Sequence, residues 1–262
     1  MQHYFIVYTR LLKMNLSRLL AYRGNFINSL ISSIVWGVFS FIFIFLLTSK
    51  SSVMFGWKRE ELILLMGLYN IVIGGVFHMF FSRNFDKFAL TIHFGQLDQI
   101  LLKPIDSQFL LSSLNIGFTQ ISRIILGIGV AVYMINVLHL HVTIFHAVAF
   151  IALSVIGLIL LYSIWFLVLT LTVWFTRLSN LVQLLYHLND LTRFPPQMFS
   201  SIKNYIFFVI PFTFVLVTPA KAILQNLTLI EVGELFVLSF LLFYLSRLFW
   251  KFALRYYTSA SS

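Results

Sequence analysis

The sequence predicts an all-α integral membrane protein with six transmembrane helices. Two observations carry this. The 262-residue chain is 60% hydrophobic and only 10% charged. A water-soluble domain carries about a quarter charged residues, so this chain cannot cover a core with a polar surface. Its apolar residues also come in long runs. Residues 24–49 and 62–82 hold no Asp, Glu, Lys or Arg, and 124–176 runs for 53 residues without a formal charge. A bilayer core of about 30 Å takes about 20 apolar residues in a helix. Residues 1–262 are therefore expected to form a single transmembrane domain, with no room for a nucleotide-binding domain or a long extracellular module.

The elements follow in order. Residues 1–25 read as an amphipathic helix lying in the cytoplasmic interface. Arg10, Lys13 and Ser17 recur on one face; Phe5, Leu12, Leu16, Leu19 and Leu20 supply the other, and Arg18 and Arg23 add charge. A cleaved signal peptide is not expected, because the basic residues are spread through 1–23 and the next apolar run is too long. Residues 26–48 form the first span and 62–82 the second. The long uncharged run is split at His139, Leu140, His141 and Val142 into spans at 109–137 and 144–174, both long enough to tilt or project. Residues 177–194 are only moderately apolar and hold Asn180, Gln183, His187, Asn189 and Asp190. Residues 204–220 are uncharged but carry Pro211 and Pro219. The last span is 230–250, with Glu231 and Glu234 at one end and Arg247, Lys251 and Arg255 at the other.

Charge orients the chain. With both termini cytoplasmic, Arg10, Lys13, Arg18, Arg23, Arg83, Lys87, Lys103, Arg247, Lys251 and Arg255 all face inward, as the positive-inside rule requires. The net charge of +10 then reflects loops facing anionic membrane lipid, and no nucleic acid is expected as a partner. The 30 Phe and 11 Tyr are expected to face acyl chains and interfaces.

Little in the chain carries bond chemistry. Without cysteine there is no disulfide, Cys-ligated metal or thiol catalysis. No G-x-x-x-x-G-K-[ST], H-E-x-x-H or G-x-S-x-G is present. His139, His141 and His146 lack a nearby carboxylate and read as interfacial histidines, so no metal site is expected. Arg123 is the one formal charge well inside an expected span. It either faces a protein interior or polar cavity, or snorkels to the cytoplasmic headgroups if the third span starts later. His187, Asp190, Asn189 and Arg193 either line a pathway or end a helix outside the bilayer. Residues 83–107 are the most informative. Residues 83–93 continue the second helix, Gly95 ends it through a left-handed cap, and 96–103 form a short helix stopped by Pro104.

Three segments carry a resemblance. Ala21-Tyr22-Arg23 precedes the first span. Gly95-Gln96-Leu97-Asp98-Gln99-Ile100-Leu101-Leu102-Lys103-Pro104 follows the second. Phe194-Pro195-Pro196, Phe208-Val209-Ile210-Pro211-Phe212 and Pro219-Ala220 precede the last. In these the chain resembles the ABC-2 type permeases, the membrane subunits of bacterial type-2 ABC exporters. The resemblance implies an interfacial helix at 1–25 and a cytoplasmic coupling region at 83–107. It places span five at 177–194 and outer re-entrant helices at 195–226; charge counting prefers the rival placement of span five at 204–225. It also implies a separate ATP-binding cassette ATPase docking on Gly95, Leu97, Asp98, Leu101, Leu102, Lys103 and Pro104, and a second permease of the same or a related family. ATP and Mg belong to the partner, so this chain binds no cofactor and is not by itself an enzyme. The implied setting is the bacterial cytoplasmic membrane, and the cargo hydrophobic or amphipathic: a peptide, drug or lipid. The alternatives are a non-transporting membrane scaffold and an intramembrane enzyme using Asp190, His187 and Arg123.

Overall fold

The computed structural model describes residues 2–49, 53–54, 56–175, 180–199 and 206–258, with side chains from residue 4 and, in the helix that starts at 206, from 211. Helix α1 (Gln2–Ala21) is parted from α2 (Arg23–Leu47) by Tyr22 alone. Inward, α2 turns Ser33, Gly37, Ser40 and Ile44; outward it exposes large side chains such as Ile31, Trp36 and Phe39. Small residues inside and bulky apolar ones outside is the arrangement of a helix facing lipid, because lipid tails solvate large apolar groups and small ones let backbones approach. A hairpin follows, β1 (Val53–Met54) against β2 (Trp57–Lys58), turned by Gly56 at φ +80°.

The second span is one continuous helical rod: α3 (Arg59–Ile71), a wider π-helical stretch over Val72–Ser82, and α4 (Arg83–His93). It is the axis of the bundle. Within its most apolar window 72% of residues are buried, against 17–28% in the other four long apolar helices. The chain then forms α5 (Gln96–Leu101), α6 (Ser107–Ser113), a 3-10 turn at Phe118–Gln120 and α7 (Ile121–Val137). The third helix long and apolar enough to cross a membrane therefore covers Phe118–Val137, where 109–137 is expected. The cause is a pair of side-chain knots. Asn84 Nδ2 donates to the Ser112 and Asn115 carbonyls (2.8 and 2.9 Å), and its Oδ1 accepts from Asn115 N (2.8 Å). Asn15 Nδ2 donates to the Leu114 carbonyl (2.9 Å) and ties α1 to the same break. Backbone groups taken by these amides cannot continue a helix.

Helix α8 (Ile144–Thr170) starts at a capping box in which Thr143 pairs with His146 Nδ1, at 2.9 Å from the Thr143 hydroxyl. Against it pack α10 (Ile206–Ile223) and α11 (Leu229–Ala253). The α8–α10 crossing rests on Gly157. A Cβ there would lie 3.2 Å from the Val215 carbonyl carbon, with the carbonyl oxygen closer still. That carbonyl lacks its usual donor four residues on, because residue 219 is proline. On the α11 side, Ser239 Oγ donates to the Ile156 carbonyl at 3.0 Å.

Many of the aromatic residues point inward instead of toward lipid. Phe77, Phe85, Phe88, Trp165 and Phe166 are all 0–1% exposed, and Phe85 stacks on Trp165 with ring centroids 5.5 Å apart. With few charges available, ring-on-ring contact supplies specificity between otherwise interchangeable apolar helices.

The C-terminal third departs most from expectation. Within the expected span at 177–194 the described residues form α9 (Asn180–Asp190) and a 3-10 turn at Leu191–Arg193. Residues 180–193 are about 21 Å long at 1.5 Å per residue, short of a bilayer core. Residues 177–179 lie outside the described residues. The expected re-entrant region contains a 3-10 turn at Pro196–Phe199 and then α10, a single helix that passes through both Pro211 and Pro219. Among the described residues, five helices are long and apolar enough to cross a membrane: Arg23–Leu47, Arg59–His93, Phe118–Val137, Ile144–Val173 and Leu229–Ala253.

Two ends of the bundle follow from the contacts. At one, Trp250 Nε1 donates to Ser107 Oγ (3.0 Å) and Arg247 grips Asp106, so α1, α5, α6 and the end of α11 gather there. At the other, Gln225 Nε2 donates to the His141 carbonyl at 2.9 Å.

Candidate functional site

The break between α4 and α5 forms as its residues dictate. Gly95 adopts φ +67°, a left-handed conformation that costs a glycine little, and reverses the chain into α5. Six residues later the helix ends, and Pro104 follows. Its apolar residues divide. Leu97 and Ile100 are 0% and 5% exposed and anchor the segment in the core; Leu101 and Leu102 are 40% and 85% exposed, and Lys103 and Pro104 are exposed as well. Leu97, expected on the docking surface, is therefore a core residue. A six-residue helix has too few apolar positions for its buried face to be read from spacing. Asp98 is half-buried beside Tyr257; burial, and then this carboxylate, push the Tyr257 hydroxyl above its ordinary pKa.

A second group lies deep in the bundle. Arg123 projects from α7 toward Gly37, at mid-length of α2, and Gly74 in the π-helical stretch. A Cβ at Gly74 would fall 2.5 Å from Arg123 Nη2, so the missing side chain there is the space the guanidinium fills. Arg123 Nε donates to Asn70 Oδ1 at 3.1 Å. Asn70, 0% exposed, donates in turn to Ser40 Oγ (2.8 Å) and the Met66 carbonyl (3.0 Å). The helix that carries Arg123 starts later than expected, and the guanidinium reaches inward to Asn70 and Gly74. Its guanidinium stands 5.9 Å over the Tyr69 ring. The Tyr69 hydroxyl donates to Asp190 Oδ1 (3.1 Å), and Arg193 approaches the other carboxylate oxygen at 3.7 Å. Tyr69 thus bridges Arg123 and Asp190. His187 stays exposed on α9 and joins none of these contacts among the described residues.

Asn70, Tyr69, Ser40 and Gly74 were not singled out in the sequence. A lone Asn and a Gly-Gly pair inside an uncharged apolar run were the available signals. The same holds for the bidentate pair of Arg247 with Asp106 (2.7 and 2.5 Å), whose members are 141 residues apart. Burial would raise the Asp106 carboxyl, but bonds from Arg247 and from the Phe109 backbone outweigh it and hold its pKa below the usual value. This pair lines a cavity of about 710 Å³ together with Gln108, Ser112 and Ser113 and a majority of apolar and aromatic side chains including Tyr4, Phe81, Phe109 and Phe243. Arg10, Lys13, Arg18 and Arg23 are exposed on α1 and at the start of α2.

Comparison with known proteins agrees with this arrangement of apolar rods and sparse buried polar groups. No curated protein and no solved structure matches the chain. The family described as ABC-2 family transporter protein matches residues 34–261, nearly the whole of it. With several helices able to cross a bilayer and this match along most of its length, the chain is a multi-pass membrane protein that belongs to the ABC-2 transporter family.

Proposed function

We propose that the chain is the permease subunit of an ATP-driven exporter, forming half of a substrate path and docking a separate ATPase subunit. The observation that carries this is α5. It is set off by the Gly95 reversal, anchored by Leu97 and Ile100, and presents Leu101 and Leu102 where none of the described residues covers them. In this reading the docking surface is Leu101, Leu102, Lys103 and Pro104, with Asp98 behind it. The expected inward-facing basic residues then place α1, α5 and both termini in the cytoplasm. The sixth crossing is supplied by the C-terminal third around α9 and α10. A second permease covers the outer faces of the spans, and ATP and Mg stay on the ATPase. The apolar spans suit a hydrophobic or amphipathic cargo, and the bacterial cytoplasmic membrane is the setting.

The test is copurification. A tagged chain co-expressed with its candidate ATPase should retain that subunit and hydrolyse ATP. Leu101→Gln with Leu102→Gln, both at exposed positions, should insert normally and lose the ATPase. Burying one Leu contributes about 1.5–3 kcal/mol, so losing two contacts weakens docking by two orders of magnitude or more. Retention of the ATPase at wild-type stoichiometry by the double variant would remove α5 from docking. A wild-type chain that retains no ATPase would favour the scaffold reading.

A further inference from the structure

Two polar cavities at the α1 end join into one groove. The first, about 380 Å³, is lined by Arg18 from α1, Arg83 and Lys87 from α4, and Asn15, Asn25 and Asn115 among others. The second, about 280 Å³, carries on to Arg123, and the two share Ser29, Arg83 and Thr119. Along α2 the two cavities are walled by Asn25, Asn28, Ser29, Ser32 and Ser33, with the exposed Trp36 at the far edge. Those positions recur every three or four residues, so the polar stripe is continuous along the helix. Four cations line the groove and no carboxylate does. Arg18, Arg83 and Lys87 have no ion-pair partner among the described residues, and Lys87 Nζ has only a 3.5 Å approach to Asn115 Oδ1.

A stripe of amides and hydroxyls with converging cations is a poor surface against acyl chains. A second copy of this chain laid on it across a two-fold axis would bring like charges together. An anion answers both objections. We propose that the groove holds the anionic, phosphate-type headgroup of a membrane amphiphile, whose tail lies in the bilayer beside α2. The position selects this occupant: in the orientation proposed above, with α1 at the cytoplasmic surface, the groove beside it lies at headgroup level and follows α2 inward, so a bound headgroup keeps its tail in the membrane. Cavities of a few hundred Å³ are the size of small-molecule sites. Arg and Lys between helices near the cytoplasmic surface are the groups that bind acidic lipid heads. The site needs neither an ATPase nor transport.

The full chain, purified and washed free of lipid in a neutral detergent, is titrated with phosphatidylglycerol or with phosphatidylcholine of the same tails and read by native mass spectrometry. One phosphatidylglycerol per chain should bind, preferred about tenfold over phosphatidylcholine. That preference should fall about tenfold in Arg83→Gln. It should fall equally in Arg18→Gln with Lys87→Gln, whose exposed side chains have no part in the core. It should persist in Lys251→Gln with Arg255→Gln, which removes two exposed charges outside the groove. Equal retention of the two lipids, or equal losses in the two double variants, would overturn the proposal. Displacement by millimolar inorganic phosphate would assign the groove to a soluble anion and overturn the lipid occupant; no displacement supports it.

Discussion

The crossing of α3 and α7 makes the sharpest stability prediction. A Cβ on Gly127 would sit 2.6 Å from the Gly67 carbonyl oxygen and 3.0 Å from Ile71 N, both backbone atoms. Ordinary contact begins at 3.4 Å, so Gly127→Ala must part the helices by about 0.8 Å (3.4 less 2.6). Neither rod can flex locally to yield that space, because the clash is with backbone. Overpacking of this kind costs about 1–3 kcal/mol. For chains of a few hundred residues each kcal/mol moves the midpoint by about 2–4 °C, so a loss of about 4–8 °C is expected from a cost of about 2 kcal/mol. Gly129→Ala is the control: nothing lies within 4 Å of its Cβ, and no loss is expected. Gly67→Ala, whose closest atoms are at 3.2 Å, should fall between. The assay is thermal unfolding of the three purified variants in one detergent, read by size-exclusion fluorescence. If Gly127→Ala melts with Gly129→Ala, the close crossing is not what holds these spans, and the placement of Arg123 one turn away loses its support.

Three further outcomes follow. Arg123→Leu should impair export or assembly because it strands the buried Asn70 amide, at a cost of about 1–3 kcal/mol, while Arg123→Lys retains part of the function; wild-type export by Arg123→Leu would remove this residue from the path. Gly157→Ala should destabilise by about 1–3 kcal/mol by driving α10 off α8 at the Val215 carbonyl, measured against the same Gly129→Ala control. Asp106→Asn should cost about 1–2 kcal/mol, the usual worth of charged hydrogen bonds reduced for side chains 34% and 27% exposed. Since the folded pKa of Asp106 lies below its unfolded value, the pair's contribution is complete above the ordinary carboxylate range and is lost as pH falls through the lowered value. The wild-type midpoint should therefore lose this increment only in acid, and the variant should lack that part of the slope.

What the sequence made legible was local. Gly95 and Pro104 act through their own backbone chemistry, so the reversal and the short helix could be read directly. Long uncharged runs likewise revealed α2, the second span and α8, and an apolar stretch between acidic and basic ends revealed α11. What escaped depends on partners distant in sequence. Nothing near Leu114 says that Asn15 and Asn84 will take its neighbours' backbone groups and delay the third span. Nothing near Leu97 says that it turns inward while Leu101 turns out. The weak apolarity of 177–194 signalled an irregular element, but Tyr69, which gives Asp190 a partner, comes from another helix. Rings such as Phe39, Tyr133 and Phe240 do face outward, but Phe77, Phe85 and Phe88 turn inward; composition cannot tell a ring facing lipid from one facing another ring.

The docking of an ATPase on α5 can be tested in the membrane itself, since the native chain has no cysteine. Leu102→Cys, at 85% exposure, is labelled with a benzophenone maleimide and irradiated with the candidate ATPase present; Phe145→Cys, 76% exposed beside the 139–142 turn, is treated in parallel. An adduct of this chain with the ATPase from position 102 and none from position 145 is the predicted result. An efficiently labelled position 102 that yields no such adduct, or equal adducts from both positions, would contradict the account.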